Sequence, residues 1–270
     1  MKRIGALSGV RQLPVLFVLI GVVAGLDLLF LILPILLVLP LSFSSAQYLV
    51  FPPPGFSLQW YGQFFGRPEW MSSLFLSLQV SVMATALTCV LGLLASLAMV
   101  RARFPGKTAA YVILLAPMIV PSIITAVAIY LFLARFNMVG NALGMALGLT
   151  VVTLPLFTII VSATLQGFDV HLEQAAISLG AGPLVAFARV TLPIIAPGVI
   201  SGALFAFLTA FGDLLIPLLL SGPTTVTLSV RIWTNLVMQI NPTIAAVSSF
   251  LTMVALVVLG SVGLLRRLQK

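Results

Sequence analysis

Residues 173–197 read EQAAISLGAGPLVAFARVTLPIIAP. The segment starts as a helix, is interrupted by Gly180, Gly182 and Pro183, and meets proline again at Pro193. Glycine and proline are the residues least tolerated inside helices, so three of them within four positions prevent this stretch from crossing a bilayer as one rod. Long apolar runs stand on both sides of it. The segment therefore reads as an ordered, broken element outside the membrane, joining two membrane spans.

Of the 270 residues, 61% are hydrophobic and 7% charged, and the mean hydropathy is +1.25. A water-soluble domain needs a charged surface that this composition does not supply. The chain reads as an all-α integral membrane protein, a single transmembrane domain over residues 1–270. Apolar runs at about 20–42, 72–100, 109–134, 142–165, 195–220 and 243–264 each reach the roughly 20 residues that a helix needs to cross ~30 Å of hydrocarbon. They predict six transmembrane helices.

The net charge of +8 does not point to nucleic acid, which would require a basic soluble face interleaved with stacking aromatics. It is a topology signal, because Lys and Arg are retained on the cytoplasmic side. With the N-terminus inside, Lys2, Arg3, Arg11, Arg101, Arg103, Lys107, Arg189, Arg266, Arg267 and Lys270 fall on cytoplasmic segments, and only Arg67, Arg135 and Arg231 fall outside. Both termini are expected in the cytoplasm. The first 25 residues imitate a secretory signal, but the apolar run continues to Phe43, so it reads as an uncleaved anchor.

Several motifs yield no chemistry. RARFPGKT (101–108) contains Gly-Lys-Thr, yet a phosphate-binding loop needs glycine where Arg101 stands, and a strand before it. Any nucleotide site lies on another chain. The outer segment 42–70 places Trp60, Tyr61, Phe64, Phe65 and Trp70 where aromatic rings suit the headgroup layer. Gly140, Gly144 and Gly148 recur every four residues, as do Gly198 and Gly202, a spacing that lets membrane helices pack closely. Cys89 reads as a small apolar side chain, and His171 without cysteine partners is a poor metal site.

Two acids fall inside apolar runs, where an ionised side chain costs roughly 2.5–3.5 kcal/mol unless sheltered. Asp27 reads as structural, in the cytoplasmic half of the first span. Asp213 lies toward the outer end of the fifth. Either it faces a central path, where a carboxylate suits an ammonium group, or it bonds a neighbouring helix or a broken backbone near Gly212 and Pro217.

The segment 166–194 is the longest internal loop. Asp169 is placed to cap a helix with Glu173 in its first turn. Gly180 is placed to end that helix in the left-handed conformation, and Pro183 to start a second one reaching Leu192 and stopping at Pro193. Ala175, Ala176 and Leu179 give the first helix a small apolar face, suited either to another protein's groove or to rest on the lipid surface.

Gln174-Ala175-Ala176, three residues, Gly180, nine residues, Val190, one residue, Leu192-Pro193 resembles the EAA loop of permease subunits of type I binding-protein-dependent ABC importers. Its consensus is Glu-Ala-Ala, three residues, Gly, nine residues, Ile-x-Leu-Pro, and this chain departs from it with Gln174 for Glu, Glu173 standing one position earlier. The stretches FGDLLIPLLLSGPTTVTLSVRIW (211–233) and NPTIAAVSS (241–249) are most similar to the spermidine/putrescine branch, its PotC-like subunit. The resemblance implies a coupling loop built on Glu173, Gln174, Ala175, Ala176, Leu179, Gly180, Leu192 and Pro193 that docks on a cytoplasmic ATPase dimer. It also implies a second permease subunit, a paralogue or a second copy, a periplasmic solute-binding protein, and a bacterial inner-membrane location. ATP and Mg belong to the ATPase, with no cofactor, metal or bond chemistry on this chain, and Asp213 is the candidate for the substrate path. The cargo expected is a polyamine; related branches carry opines, other amines, ferric iron or phosphonates. A self-contained secondary transporter would carry internal repeats and its own coupling charges, and a membrane enzyme a convergent catalytic set; neither is evident.

Overall fold

The computed structural model describes residues 12–238 and 241–268, with side-chain surroundings for 17–238 and 241–256. Lys2, Arg3, Arg11 and Lys270 of the topology argument lie outside the described residues. All regular elements among the latter are helices: α1 (Gln12–Ser42), α2 (Gln59–Gly66), α3 (Pro68–Arg101), α4 (Lys107–Ile119), α5 (Ser122–Ala134), α6 (Ala142–Gln166), α7 (Val170–Ser178), α8 (Pro183–Ala186), α9 (Leu192–Gly212), α10 (Leu215–Leu220), α11 (Leu228–Met238) and α12 (Thr243–Leu268). Among the described residues, four continuous stretches are long and apolar enough to cross a membrane: Phe17–Ser42, Pro68–Arg101, Ala142–Gln166 and Pro183–Gly212.

The third expected span, 109–134, is not one rod. α4 and α5, of 13 residues each, meet at an angle of 108°. Pro121 causes the break: it forces Val120 into extended geometry, φ −73° and ψ 137°, the preference of a residue before proline. The fifth expected span, 195–220, also divides. α9 stops at Gly212, Asp213 is extended, and the chain restarts as α10.

Two compact units are formed, one from the chain ends, up to Arg67 and from Asn235, and one from Pro68–Thr234. In the first, α1 and α2 pack on α12. Trp60 and Phe64, one helical turn apart on α2, are fully buried, with the Trp60 indole donating to the Ser44 carbonyl at 2.7 Å and Phe64 5.6 Å from the Phe250 ring. Trp70, in the first turn of α3, is buried too. These three rings are packing groups, contrary to the expected headgroup belt; Phe65 alone of the set is half-exposed.

The second unit is built on α3, α6 and α9, which pack mutually. One apolar cluster joins Val80, Ala84, Met145, Leu149, Ala210 and Ile216; another joins Phe157, Val161, Leu165, Phe168 and Ile195, with Cys89 and Leu192 packed against it. Without water to drive apolar association inside a bilayer, close packing and polar bridges must hold such helices together. Phe157 sits between Gly92 of α3 and Gly202 of α9, each so near that an added Cβ would overlap its ring. The Thr88 and Thr153 hydroxyls bridge α3 and α6 at 2.7 Å.

Gly148, Gly198 and Gly202 are the helix-packing glycines their spacing suggests, whereas a Cβ on Gly144 would strike the Met138 carbonyl in the turn before α6. Gly140 is not one of them. It precedes α6 in a turn with φ +79°, and its N–H donates to the Leu220 carbonyl at 2.9 Å, fastening that turn to α10.

Gly92→Leu is expected to overpack this contact, at a cost of roughly 1–3 kcal/mol, and to lower the thermal midpoint of the detergent-solubilised protein. Adding Phe157→Leu should recover part of the loss. An unchanged midpoint in Gly92→Leu contradicts the packing described.

Candidate functional site

Residues 169–193 fold into a compact element at the end of the second unit. Asp169 is the N-cap of α7, its Oδ1 accepting the His171 N–H at 3.0 Å. The helix ends as a Schellman motif: Gly180 N–H donates to the Ile177 carbonyl at 2.9 Å and Ala181 N–H to the Ala176 carbonyl at 3.1 Å. Gly180 has φ +94°, a conformation that L-residues adopt only at a cost. A Cβ there would meet open space, so backbone conformation alone demands glycine.

Past Gly180 the chain does not stop at Pro193. α8 opens with Pro183, passes through a π-helical turn over Phe187–Thr191, and continues directly into α9, where Pro193 occupies the first turn. Proline lacks an N–H and crowds the carbonyl of the preceding turn. The wider turn, in which Leu192 N–H reaches the Phe187 carbonyl, gives the Pro193 ring room. The second half of the element and α9 are one continuous rod from Pro183 to Gly212.

Glu173 locks this element to the membrane helices. Its carboxylate takes a forked pair of bonds from Arg101 at the end of α3, Nη2 to Oε2 at 2.8 Å and Nη1 to Oε1 at 3.2 Å. Thr191 Oγ1 donates to Oε2 at 2.6 Å from the π-turn. The Arg101 guanidinium also lies 5.7 Å from the Phe168 ring centre, within cation–π range. One carboxylate thus ties together three segments, α3, α7 and the π-turn. Its side chain is only 15% exposed and that of Arg101 29%.

The predicted residues therefore separate. Glu173 and Leu192 point into the unit, the latter against the Phe157 cluster. Gln174, Ala175, Gly180 and Pro193 are exposed and Ala176 half-buried. Gln174 Oε1 lies 3.3 Å from His171 Nδ1. Leu179 is 90% exposed, and Leu184, which the sequence reading passed over, is 84% exposed on the far side of the turn. Two bare leucines flank the turn at Gly180 and Gly182. Arg101 and Thr191 were missed as well; Arg101 had been read as a topology charge and as a residue that excludes a phosphate-binding loop, and its partner is 72 residues away.

Asp213 is not brought near this element. Half-buried at the α9–α10 break, it accepts the Ile216 N–H at 2.9 Å. It lines a niche with Ser77, Ser81 and Thr227 that has no space for a water molecule. Asp27 stands exposed on α1.

Burial pushes the Glu173 carboxyl upward, but the bonds from Thr191 and Arg101 and the Arg101 charge outweigh it and hold it below the ordinary carboxylate value. A carboxyl lowered on folding stabilises the fold above its unfolded pKa, and that contribution is lost as pH falls through the lowered value. Amide exchange over 170–179, corrected for intrinsic rates, is accordingly expected to accelerate once pH drops below about 4.3, the usual Glu value. Glu173→Gln should remove that acid-dependent step.

The family described as "Binding-protein-dependent transport system inner membrane component" matches residues 88–270. The chain is 32% identical to the putrescine transport system permease protein PotI of Escherichia coli (strain K12) over 253 residues, 90% of this chain and 86% of that protein. It is 31% identical over 230 residues, 84% of this chain and 88% of the other, to the spermidine/putrescine transport system permease protein PotC of Haemophilus influenzae. In fold it is similar to a chain of a bacterial ABC transporter involved in the import of alginate, with TM-score 0.74, 16% identity, and coverage of 93% and 97%.

Proposed function

This chain belongs to the family of inner membrane components of binding-protein-dependent transport systems, the permeases of ABC importers, and from that premise we propose that its cargo is a polyamine such as putrescine or spermidine. The relatives named for putrescine and spermidine transport cover most of both lengths, which supports the cargo class. We further assign six crossings to α1, α3, the bent α4–α5 pair, α6, α9 with α10, and α12, with both termini in the cytoplasm. A periplasmic solute-binding protein delivers cargo, a second permease subunit completes the path, and ATP with Mg is consumed on separate ATPase chains.

The observation that carries the energy-coupling reading is the division of residues 169–193 into an inward brace and an outward apolar tip. Glu173 fixes the element on α3 and on the rod leading into α9, while Leu179 and Leu184 stand free. A groove on the ATPase that receives those two leucines would transmit its closure to α9 without loss in a flexible linker. This is a two-state element biased by a partner's nucleotide state. Asp213, beside three hydroxyl-bearing residues where the helix is interrupted, is the group we assign to the ammonium end of the cargo once the niche, closed in this structure, opens at the helix break, since intramembrane acids concentrate on substrate pathways.

In proteoliposomes holding the assembled complex, Leu179→Asp with Leu184→Asp is expected to abolish copurification of the ATPase and ATP-driven putrescine uptake. Gly180→Val should strain the turn by about 1–2 kcal/mol and reduce cargo-stimulated hydrolysis. Asp213→Asn should raise the KM for uptake with the complex still assembled. Full ATPase recovery with the double leucine variant would sink the docking assignment, and uptake unaffected by blocked hydrolysis would sink the importer mechanism.

A further inference from the structure

Beside the Arg101 brace the α3–α4 turn carries a feature that energy coupling does not use. Val100 of α3, Lys107, Thr108 and Tyr111 of α4, and Ser162 and Gln166 of α6 line an open-mouthed cavity of about 390 Å³. No acid is among its lining residues. α4 begins after Gly106 with no side-chain cap, so its first N–H groups, the positive end of the helix dipole, are left to an outside acceptor. Lys107 Nζ donates to the Ala102 carbonyl at 2.9 Å, which holds the ammonium at the rim with two further donors to offer. Ser162 is 6% exposed, and its buried hydroxyl has no hydrogen-bond partner.

These groups select a phosphate: a fixed cation, free backbone donors and a hydroxyl, with no opposing carboxylate. The surface leading away from them selects a lipid over a free ion. From Thr108 at the cavity, one face of α4 runs through Val112, 57% exposed, to Ile119, 75% exposed, an apolar strip at helical spacing along which acyl chains can lie. Basic pockets between membrane helices on the cytoplasmic side are established headgroup sites. We propose that this cavity binds the phosphate headgroup of an anionic membrane lipid, with Lys107 and the amino end of α4 on the phosphate and Ser162 donating to a lipid oxygen. The inference rests on the reading that the α7 end of the unit is cytoplasmic.

The test is native mass spectrometry of the full complex in mild detergent, offered phosphatidylglycerol or phosphatidylcholine. Phosphatidylglycerol is expected to be retained preferentially, and Lys107→Gln to weaken that retention about fivefold, the share of one basic residue at an anionic surface. Lys107→Arg should keep the preference, which guards against a variant that merely misfolds, and millimolar inorganic phosphate should displace nothing. Equal retention of the two lipids, or an undiminished preference in Lys107→Gln, overturns the proposal; displacement by inorganic phosphate reassigns the cavity to a free anion and overturns it too. Selective retention by a complex that recovers no ATPase supports the lipid site and counts against the coupling assignment alone.

Discussion

The Glu173 carboxylate, held between Arg101 and Thr191, is the interaction on which the 169–193 element, proposed here as the coupling loop, depends. α7 has nine residues, too few for a helix to be stable alone in water, and its apolar side chains are largely turned outward. An exposed ion pair is worth little, but this one is forked, mostly covered, and supported by a hydroxyl and an aromatic face. Its effect is geometric as much as energetic. It joins α7 to the end of α3 and to the π-turn that leads into α9 at once.

The body beneath the brace is organised for the bilayer. α3, α6 and α9 meet through glycines and threonines, with Phe157 filling the space that Gly92 and Gly202 leave. Such contacts suit helices that have no hydrophobic force between them. The same unit carries two breaks, between α4 and α5 and between α9 and α10. Backbone freed at such breaks must find partners inside the protein, and at the second the Asp213 side chain accepts the Ile216 N–H at the start of α10.

What could be read in the sequence was local. The apolar runs, the Asp169 cap and the glycine that ends α7 are each set by residues within a few positions, and all three were legible. The bend at Pro121 was not, because hydropathy averaged over a window does not register the loss of one N–H. Pro193 was misread as a stop because proline ends helices in general, while a π-turn admitted it here. The inward turn of Glu173 depends on Arg101, 72 positions away, and no local pattern announces such a pair. Gln174, in the consensus acid position, is exposed, so the carboxylate that matters to this fold is the one a position earlier.

Charge exchange at the brace is the most direct test of its role. Arg101→Glu and Glu173→Arg should each lower cargo-stimulated ATP hydrolysis by the assembled complex. Combined in one chain, they should restore much of it, because the pair is remade in reverse. Losses that simply add, with no recovery in the double variant, would contradict a brace between α3 and α7 as the route by which the motor moves the membrane helices.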